Sequence, residues 1–262
     1  MLPMNKNIWI TGASSGIGAA LAVELSAQGH HLLLSSRRGG ELKKVQESCA
    51  YPERIQILPL DLEDPESHQD ISDQAWELMS YIDVVIHNAG VSQRSLAHET
   101  DWRVDDRLMR INYLGTVSLT KALLGRMLDR GQGQFVVVTS LTGIIPSPYR
   151  SGYAAAKHAL HGFFDSLRAE LEDRGISVTL VAPGFVKTQV SVNAFTGNGT
   201  ALGVMDNAQA KGISAERCAQ VIVKAMHGQK REVYVGRESY AAYVKRYLPG
   251  LFARMIKKAK VR

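Results

Sequence analysis

The stretch NIWITGASSGIGAALAVEL, residues 7–25, decides the fold of this chain. Residues 8–10 are an apolar run of strand formers, and over residues 19–25 small and apolar side chains recur at helical spacing. The glycines between them therefore lie at a strand-to-helix turn. That turn fits two motifs: G-x-S-x-G over residues 12–16, the nucleophile turn of serine hydrolases, and a glycine-rich turn that admits a phosphate group.

Position along the chain weighs against the hydrolase interpretation. In such hydrolases the nucleophile follows several strands and an earlier loop supplies part of the oxyanion hole, whereas only one strand precedes Ser14. A Walker A loop is excluded because no G-K-[ST] follows, and the glycine spacing is G-x-x-x-G-x-G rather than G-x-G-x-x-G. The stretch alone favours phosphate binding without establishing it.

Length and composition indicate one large α/β domain over residues 1–262. Apolar residues make up 45% of the chain and charged residues 21%, as is ordinary for a globular protein. No apolar run approaches the length of a membrane span, and the N-terminus lacks the apolar region of a signal peptide, so we expect a cytoplasmic protein. Cys49 and Cys218 form no C-x-x-C pair, which suits a reducing compartment.

The positive charge is concentrated at the C-terminus. The net charge is +6, but residues 245–262 contain four Lys, three Arg and no acid, so the remainder is close to neutral. Nucleic-acid binding is therefore not expected. Over about residues 238–262 apolar side chains at helical spacing alternate with the cations, and Pro249-Gly250 should divide the segment into two helices. Such a segment packs on its own domain or a partner subunit, or lies on an anionic membrane surface.

Seven apolar, β-rich runs alternate with helical stretches along the chain. They lie at residues 7–11, 31–36, 54–60, 83–88, 134–140, 177–183 and 232–236. Runs of Val, Ile and Leu without polar alternation are typical of strands buried on both faces. We therefore predict an α/β fold with a Rossmann-type doubly wound parallel sheet of about seven strands and helices on both faces. Residues 184–212, rich in Gly, Asn and Thr, depart from this rhythm and are predicted to form a substrate lid.

Polar residues follow the carboxyl ends of these strands, where an open α/β sheet binds its ligands. The fourth run ends in HNAG (87–90), the fifth in VTSLTG (138–143) and the sixth in APGFVKT (182–188). Tyr153 and Lys157 follow the fifth run at i, i+4 spacing, which places both on one face of a helix.

Together these motifs resemble those of the short-chain dehydrogenase/reductase family, over roughly residues 6–190. The matches are TGASSGIG (11–18) to the family's T-G-x-x-x-G-x-G turn, Asn88-Ala89-Gly90 to N-A-G, Ser140 at thirteen residues before Tyr153, Y-A-A-A-K to Y-x-x-x-K, and Pro183-Gly184 with Thr188 to its P-G…T turn. Five motifs in the right order make the hydrolase interpretation untenable. The resemblance implies that the turn around Ser14 holds a dinucleotide pyrophosphate, using backbone N–H groups and the helix N-terminus.

The resemblance also implies a reaction, the reversible reduction of a carbonyl to an alcohol with hydride from NAD(P)H. Tyr153 would be the general acid/base. Because the pKa of free tyrosine is about 10, Lys157 would lower it and would also hold the nicotinamide ribose. Ser140 would hydrogen-bond the carbonyl oxygen, and Asn112 resembles the helix asparagine that connects Lys157 to solvent through water. The alternative is a catalytically idle NADP(H)-binding sensor or scaffold, although idle relatives typically lose Tyr, Lys or Ser.

The expected cofactor-binding residues lie on the turn and at the strand ends. They are Gly12, Ser14, Ser15, Gly16, Ile17, Gly18, Arg37, Arg38, Asp61, Leu62, Asn88, Ala89, Gly90, Tyr153, Lys157, Pro183, Gly184, Val186 and Thr188. NADP(H) is favoured because the second strand ends in SSRR, with no acid until Glu41. Arg37 is the expected 2′-phosphate ligand, assisted by Arg38 or Ser36, and Asp61 the expected adenine contact. Many NADP-preferring relatives carry a basic residue where this chain has Ser15, so NAD(H) stays open.

No metal site is predicted, because His158 and His161 have no acidic or cysteine partner at suitable spacing. His87 is expected only to fill a site at a strand end. The expected substrate is a hydrophobic or medium-sized ketone or aldehyde, since the lid and residues 91–98 offer no clustered cation beyond Arg94 and Lys187. Family members typically pair through two long helices, here near residues 101–130 and 151–174, so we expect a homodimer or homotetramer.

Overall fold

A computed structural model describes residues 5–259 of the chain. Its strands are β1 (Asn7–Thr11), β2 (His31–Ser35), β3 (Ile55–Ile57), β4 (Val84–His87), β5 (Gly133–Val138), β6 (Ile176–Pro183), β7 (Val186–Lys187), β8 (Ile213–Ser214) and β9 (Glu232–Val235). Seven of them form one sheet in the order β3-β2-β1-β4-β5-β6-β9, with every neighbouring pair parallel. The predicted doubly wound parallel sheet is confirmed.

Helices connect the strands and cover both faces of the sheet. They are α1 (Gly16–Ala27), α2 (Gly39–Glu47), α3 (His68–Met79), α4 (Trp102–Met109), α5 (Gly115–Asp129), α6 (Ser151–Leu171), α7 (Asn207–Ala210), α8 (Ala215–His227), α9 (Tyr240–Tyr247) and α10 (Pro249–Lys257). A wider turn of π-helix, Arg110–Leu114, joins α4 to α5.

The apolar strands separate two hydrophobic cores. In β1, Ile8 and Ile10 pack on one side with α1, α2 and α8, whereas Trp9 packs on the other with α3, α5 and α6. All three side chains are fully buried. Alternate residues of a strand point to opposite faces, so a strand with a core on each side needs an unbroken apolar run.

The strand order reverses between β1 and β4, which places a crevice at their carboxyl ends. There the Nδ2 atom of Asn88 donates to the carbonyl oxygens of Thr11 and Gly12, both at 3.2 Å. The N-A-G motif therefore holds the glycine turn directly, and the two motifs form adjacent walls of one crevice.

The C-terminal segment forms two helices, and Pro249 begins the second, as predicted. Phe252 is buried on the domain, and Lys245 donates from Nζ to the carbonyl oxygen of Ile144. Six other large apolar side chains of the segment are exposed, namely Tyr240, Tyr243, Tyr247, Leu248, Leu251 and Met255. No helix within residues 5–259 is long and apolar enough to cross a bilayer. Residues 260–262 of the predicted basic segment lie outside the described part of the chain.

Candidate active site

A cavity of about 490 Å³ runs along the carboxyl edge of the sheet, from the glycine turn to the lid. It brings together most of the residues predicted for the site. Those that line it are Gly12, Ser14, Ser15, Gly16, Ile17, Arg37, Arg38, Asp61, Leu62, Asn88, Ala89, Gly90, Ser140, Tyr153, Lys157, Pro183, Gly184, Val186 and Thr188. Gly18 and Asn112 are absent from its lining, and both lie behind the wall.

The glycine turn has no room for side chains at two positions. Gly12 has a φ of +66°, and a Cβ there would lie 2.7 Å from the Ala89 Cα. A Cβ on Gly18 would lie 2.2 Å from the Gly12 carbonyl oxygen and 2.6 Å from the Asn88 Nδ2. Gly18 is not among the residues that line the cavity, and its contact with the cofactor stays a prediction. It lets the first turn of α1 pack closely against the turn and so positions the N–H groups of α1.

Arg38 braces this turn from the end of β2. Its Nη2 atom donates to the Ser14 Oγ at 3.0 Å and to the Ser15 Oγ at 3.1 Å. Arg37 is exposed, and within residues 5–259 no ion pair or hydrogen bond involves its side chain. The two arginines and three serine hydroxyls, including that of Ser36, thus form a polar, positively charged end of the cavity that suits a phosphate group.

Ser140 and Tyr153 lie at the other end of the cavity. The Ser140 Oγ accepts from the Thr142 backbone N–H at 3.2 Å and from the Thr142 hydroxyl at 2.9 Å. Burial raises the pKa of Tyr153, whereas a hydrogen bond with Ser140 and the positive charges of Arg150 and Arg94 act in the opposite direction. The family resemblance implied that Lys157 lowers the pKa of Tyr153, whereas the cations that lower it here are Arg150 and Arg94.

Lys157 is 3% exposed, and its Nζ donates to the Val138 carbonyl oxygen at 3.0 Å. Burial lowers the pKa of this amine to about 8. A Cβ on Gly90 would lie 3.5 Å from the Nζ. The ammonium group therefore lies against the N-A-G motif.

Asn112 lies in the π-helical turn between α4 and α5 and is fully buried. Its Oδ1 accepts from the Val91 N–H at 3.0 Å, and its Nδ2 donates to the carbonyl oxygens of Val91 at 2.9 Å and Leu108 at 3.0 Å. The side-chain amide is thus fully engaged with the backbone. Asn112 fixes the segment that follows the N-A-G motif, a role that the sequence did not indicate.

Residues 184–212, the predicted lid, contribute part of the cavity wall. The lid side chains that line the cavity are Val186, Thr188, Gln189, Val190, Asn193, Phe195, Ala201 and Gln209. These positions could not be predicted, because a segment without periodicity does not indicate which side chains point inward. Thr139 also lines the cavity and was missed, although its place beside Ser140 at the end of β5 was the available signal.

The histidines of this region have partners within the protein. The His161 Nε2 lies 3.0 Å from the Thr139 Oγ1, its Nδ1 lies 3.3 Å from Glu232, and the His158 Nδ1 lies 2.8 Å from the Ala154 carbonyl oxygen. Within residues 5–259 no three His, Cys, Asp or Glu side chains form a group that could hold a metal ion. His87 is buried at the end of β4, and burial lowers its pKa to about 3.

Comparison with known proteins agrees with this arrangement. The model of the short chain dehydrogenase family matches residues 6–199. The chain belongs to the short-chain dehydrogenase/reductase family. It is 38% identical over 259 residues to dehydrogenase/reductase SDR family member 7B of Mus musculus, an alignment that covers 96% of this chain and 80% of that relative.

Two solved structures, the first of them a short-chain dehydrogenase, share the fold. One from Streptomyces avermitilis superposes with a TM-score of 0.80 at 26% identity, covering 97% of this chain and 96% of that one. The structure of ElxO with NADP bound superposes with a TM-score of 0.77 at 25% identity, covering 91% and 100%. As a short-chain dehydrogenase/reductase, the chain is an oxidoreductase of a family that uses NAD(P)(H).

Proposed function

We propose that this short-chain dehydrogenase/reductase reduces a ketone or aldehyde to an alcohol, reversibly, with NADP(H). The observation that carries the proposal is the single cavity that Ser140, Tyr153 and Lys157 share with the glycine turn. Reduction of a carbonyl by hydride transfer needs a site that binds the dinucleotide phosphates and an acid/base group that handles the proton, and the cavity has one at each end.

The chain's own residues would handle the proton and the orientation of the substrate. NADP(H), when bound, exchanges the hydride. Ser140 donates a hydrogen bond to the carbonyl oxygen, and Tyr153 delivers a proton to that oxygen during reduction and removes it during oxidation. Burial keeps the Tyr153 phenol protonated, while Ser140 and the nearby arginines favour the phenolate that proton transfer produces. Lys157 is the buried cation beside the N-A-G motif and would bind the ribose hydroxyls.

The preference for NADP(H) is supported by the charge at the end of β2. Arg37 and Arg38 both line the cavity there, and no acid stands in SSRR to accept a 2′-hydroxyl. Arg38 is already placed beside the glycine turn by Ser14 and Ser15, and Arg37 extends into solvent. ElxO, a structural neighbour, was solved with NADP bound.

A hydrophobic or medium-sized substrate is supported by the lid. Val190, Phe195 and Ala201 line the cavity. Arg94, one of the two cations that could have received an anionic substrate, is 2% exposed and pairs with Asp206. Lys187 is exposed and does not line the cavity. Within residues 5–259, neither of these two cations is therefore open at the substrate end to bind a carboxylate or phosphate.

Oxidation of NADPH in the presence of a panel of aliphatic and aromatic ketones and aldehydes tests the proposal. We expect turnover with apolar carbonyls and slower turnover with keto acids of matched size. The idle sensor or scaffold predicts instead that NADPH binds and no member of the panel is reduced. The presence of Ser140, Tyr153 and Lys157 in one cavity supports the active enzyme over this alternative.

A further inference from the structure

The lid is joined to the segment that follows the N-A-G motif. The Arg94 backbone N–H donates to the Phe195 carbonyl oxygen at 2.8 Å, and the Phe195 N–H donates to the Ser92 carbonyl oxygen at 2.9 Å. Residues 92–94 therefore hold the middle of the lid by backbone hydrogen bonds, before any side chain is considered.

Three buried charged side chains add a second connection. The Arg94 Nε lies 2.5 Å from the Asp206 Oδ2, and the Arg150 Nη2 lies 3.6 Å from the same oxygen. The side chains of Arg94 and Asp206 are each 2% exposed, and that of Arg150 is 5% exposed. We call Arg94, Asp206 and Arg150 the arginine–aspartate cluster. Each member comes from a different part of the chain, and Asp206 belongs to the lid, immediately before α7.

The same region fixes the start of α6, the helix that carries Tyr153. The fully buried Gln93 accepts through Oε1 from the Gly152 N–H at 2.8 Å and from the Tyr153 N–H at 3.2 Å. The Arg150 carbonyl oxygen accepts from the Ala154 N–H at 2.7 Å. Gln93 and Arg94 are consecutive, so one short segment binds both the lid and the N-terminus of α6. A shift of the lid is therefore transmitted to the first turn of α6.

The cluster also shapes the electrostatic environment of Tyr153. The charged and polar groups that act on this phenol are Arg150, Arg94 and Ser140, and all three lower its pKa against the effect of burial. Burial and the neighbouring Arg94 lower the pKa of Arg150 to about 10, whereas Asp206 and Tyr153 raise it. Asp206 thus holds together two buried cations that repel each other, and both of them act on Tyr153.

We propose that Asp206 is a positioning residue: by joining Arg94 to Arg150 it fixes the closed lid on the start of α6 and sets where the Tyr153 hydroxyl meets the substrate. This inference rests on the proposed carbonyl reductase activity. Asp206 touches neither substrate nor cofactor in this scheme, and acts through Arg94 and Arg150.

The first test compares Asp206→Asn with Asp73→Asn, which removes an acid from a surface pair with Arg126. We expect Asp206→Asn to lower kcat/KM by up to about 10²-fold, because a misplacement of about 1 Å at the reacting atoms can cost that much. The pH profile of kcat/KM should also change. Without the Asp206 carboxylate, the positive charges of the two arginines are no longer partly neutralised, so the pKa of Tyr153 falls and the limb that reports it shifts to lower pH. NADPH affinity and the control variant should match the wild type. An unchanged pH profile and kcat/KM in a folded Asp206→Asn variant would overturn the proposal.

A second variant separates positioning from plain stability, since removing one member of a buried ion cluster destabilises a fold. The triple replacement Arg94→Met, Asp206→Leu, Arg150→Met keeps apolar packing without buried charge. We expect it to restore thermal stability but not kcat/KM. Recovery of full kcat/KM by the triple variant would show that the charges are not needed and would overturn the proposal.

Hydrogen exchange provides a readout that does not depend on turnover. The amides of Arg94 and Phe195, and the lid amides from Ala194 to Gly203, should exchange faster in Asp206→Asn than in the wild type, with the strand amides of β5 unchanged. If the wild type reduces no carbonyl at all, the proposed function fails, and this measurement still decides whether Asp206 holds the lid. Unaltered exchange in the lid would contradict the inference.

Discussion

The Nζ atom of Lys157 lies 5.8 Å from the centre of the Tyr153 ring and donates to the Val138 carbonyl oxygen. Its pKa falls from an ordinary 10.5 to about 8 because the amine is buried. At a pH between these two pKa values, Lys157 is protonated in the unfolded chain and deprotonated in the folded chain. The free energy of unfolding should therefore rise with pH across this window.

Denaturant unfolding of the wild type and of Lys157→Met, followed from pH 8 towards pH 10, measures this effect. Other titrating groups are common to both proteins, so the difference in unfolding free energy isolates Lys157. We expect the wild type to gain stability relative to the variant as the pH rises. A difference that stays constant would mean that the Lys157 pKa is not lowered by folding.

Replacement of Tyr153 by Phe should abolish carbonyl reduction while NADPH still binds. General acid catalysis contributes about 10²–10⁴-fold, so the loss in kcat should be at least that large. Cofactor fluorescence measures NADPH binding. The control is Tyr51→Phe, at a tyrosine that packs under Arg54 and does not line the cavity. Retention of more than about a tenth of wild-type kcat, against the expected loss, would remove Tyr153 from the proton transfer.

The two arginines after β2 should differ in their effects on cofactor choice. A charge-assisted hydrogen bond contributes about 1.5–3 kcal/mol, so Arg37→Ala should weaken NADPH binding by roughly 10- to 150-fold and leave NADH binding almost unchanged. Arg38→Ala should weaken both, because Arg38 also braces Ser14 and Ser15. Titration of each variant with both cofactors measures this, with Lys43→Ala on α2 as the control. Equal losses for NADPH and NADH in Arg37→Ala would place the 2′-phosphate elsewhere.

The exposed apolar side chains of α9 and α10 either pack on a partner subunit or lie on an anionic bilayer, and the bilayer alternative makes a testable prediction. Each Lys or Arg near such a surface adds about 1 kcal/mol, and inserted apolar side chains add to this. If the segment lies on a bilayer, Leu251→Glu, at a leucine that is 48% exposed, should release the protein from anionic vesicles. The control Leu78→Glu, at a similarly exposed leucine on α3, should not. Co-sedimentation with vesicles measures the binding. Failure of the wild type to bind at physiological salt would favour a tail that packs only on protein.

Self-association is predicted through the helices near residues 101–130 and 151–174. Trp102 and Leu114 on this stretch are 72% and 49% exposed, which is high for side chains of their size. We expect the wild type to sediment as a dimer or tetramer at micromolar concentration, and Leu114→Glu to shift it towards monomer. A wild type that sediments as a monomer would contradict this prediction.

Local patterns predicted the sheet and the residues that meet at its edge, because the carboxyl ends of parallel strands necessarily lie together. Thus Gly12, Asn88 and Ser140 could be placed from motifs alone. Contacts between distant segments could not. Arg94 and Asp206 are 112 positions apart, and nothing in the sequence indicated that Arg94, one of two cations in the segments expected to determine the substrate, is buried against that acid. Asn112 likewise satisfies the backbone of Val91 rather than lining the cavity.

The short parallel pair β7–β8 joins the two ends of the lid, with Val186 opposite Ile213. Inside it, the Leu202 N–H donates to Ala194 and the Gly203 N–H to Val192, so much of the segment's hydrogen bonding is internal. A loop closed at its base can change length at little entropic cost to the scaffold. The residues between β7 and β8 are therefore a segment with a fixed base, tied to the rest of the fold through Asp206 and Phe195. Transplanting the corresponding segment from a relative should transfer substrate preference, provided that Thr188 and Asp206 are kept.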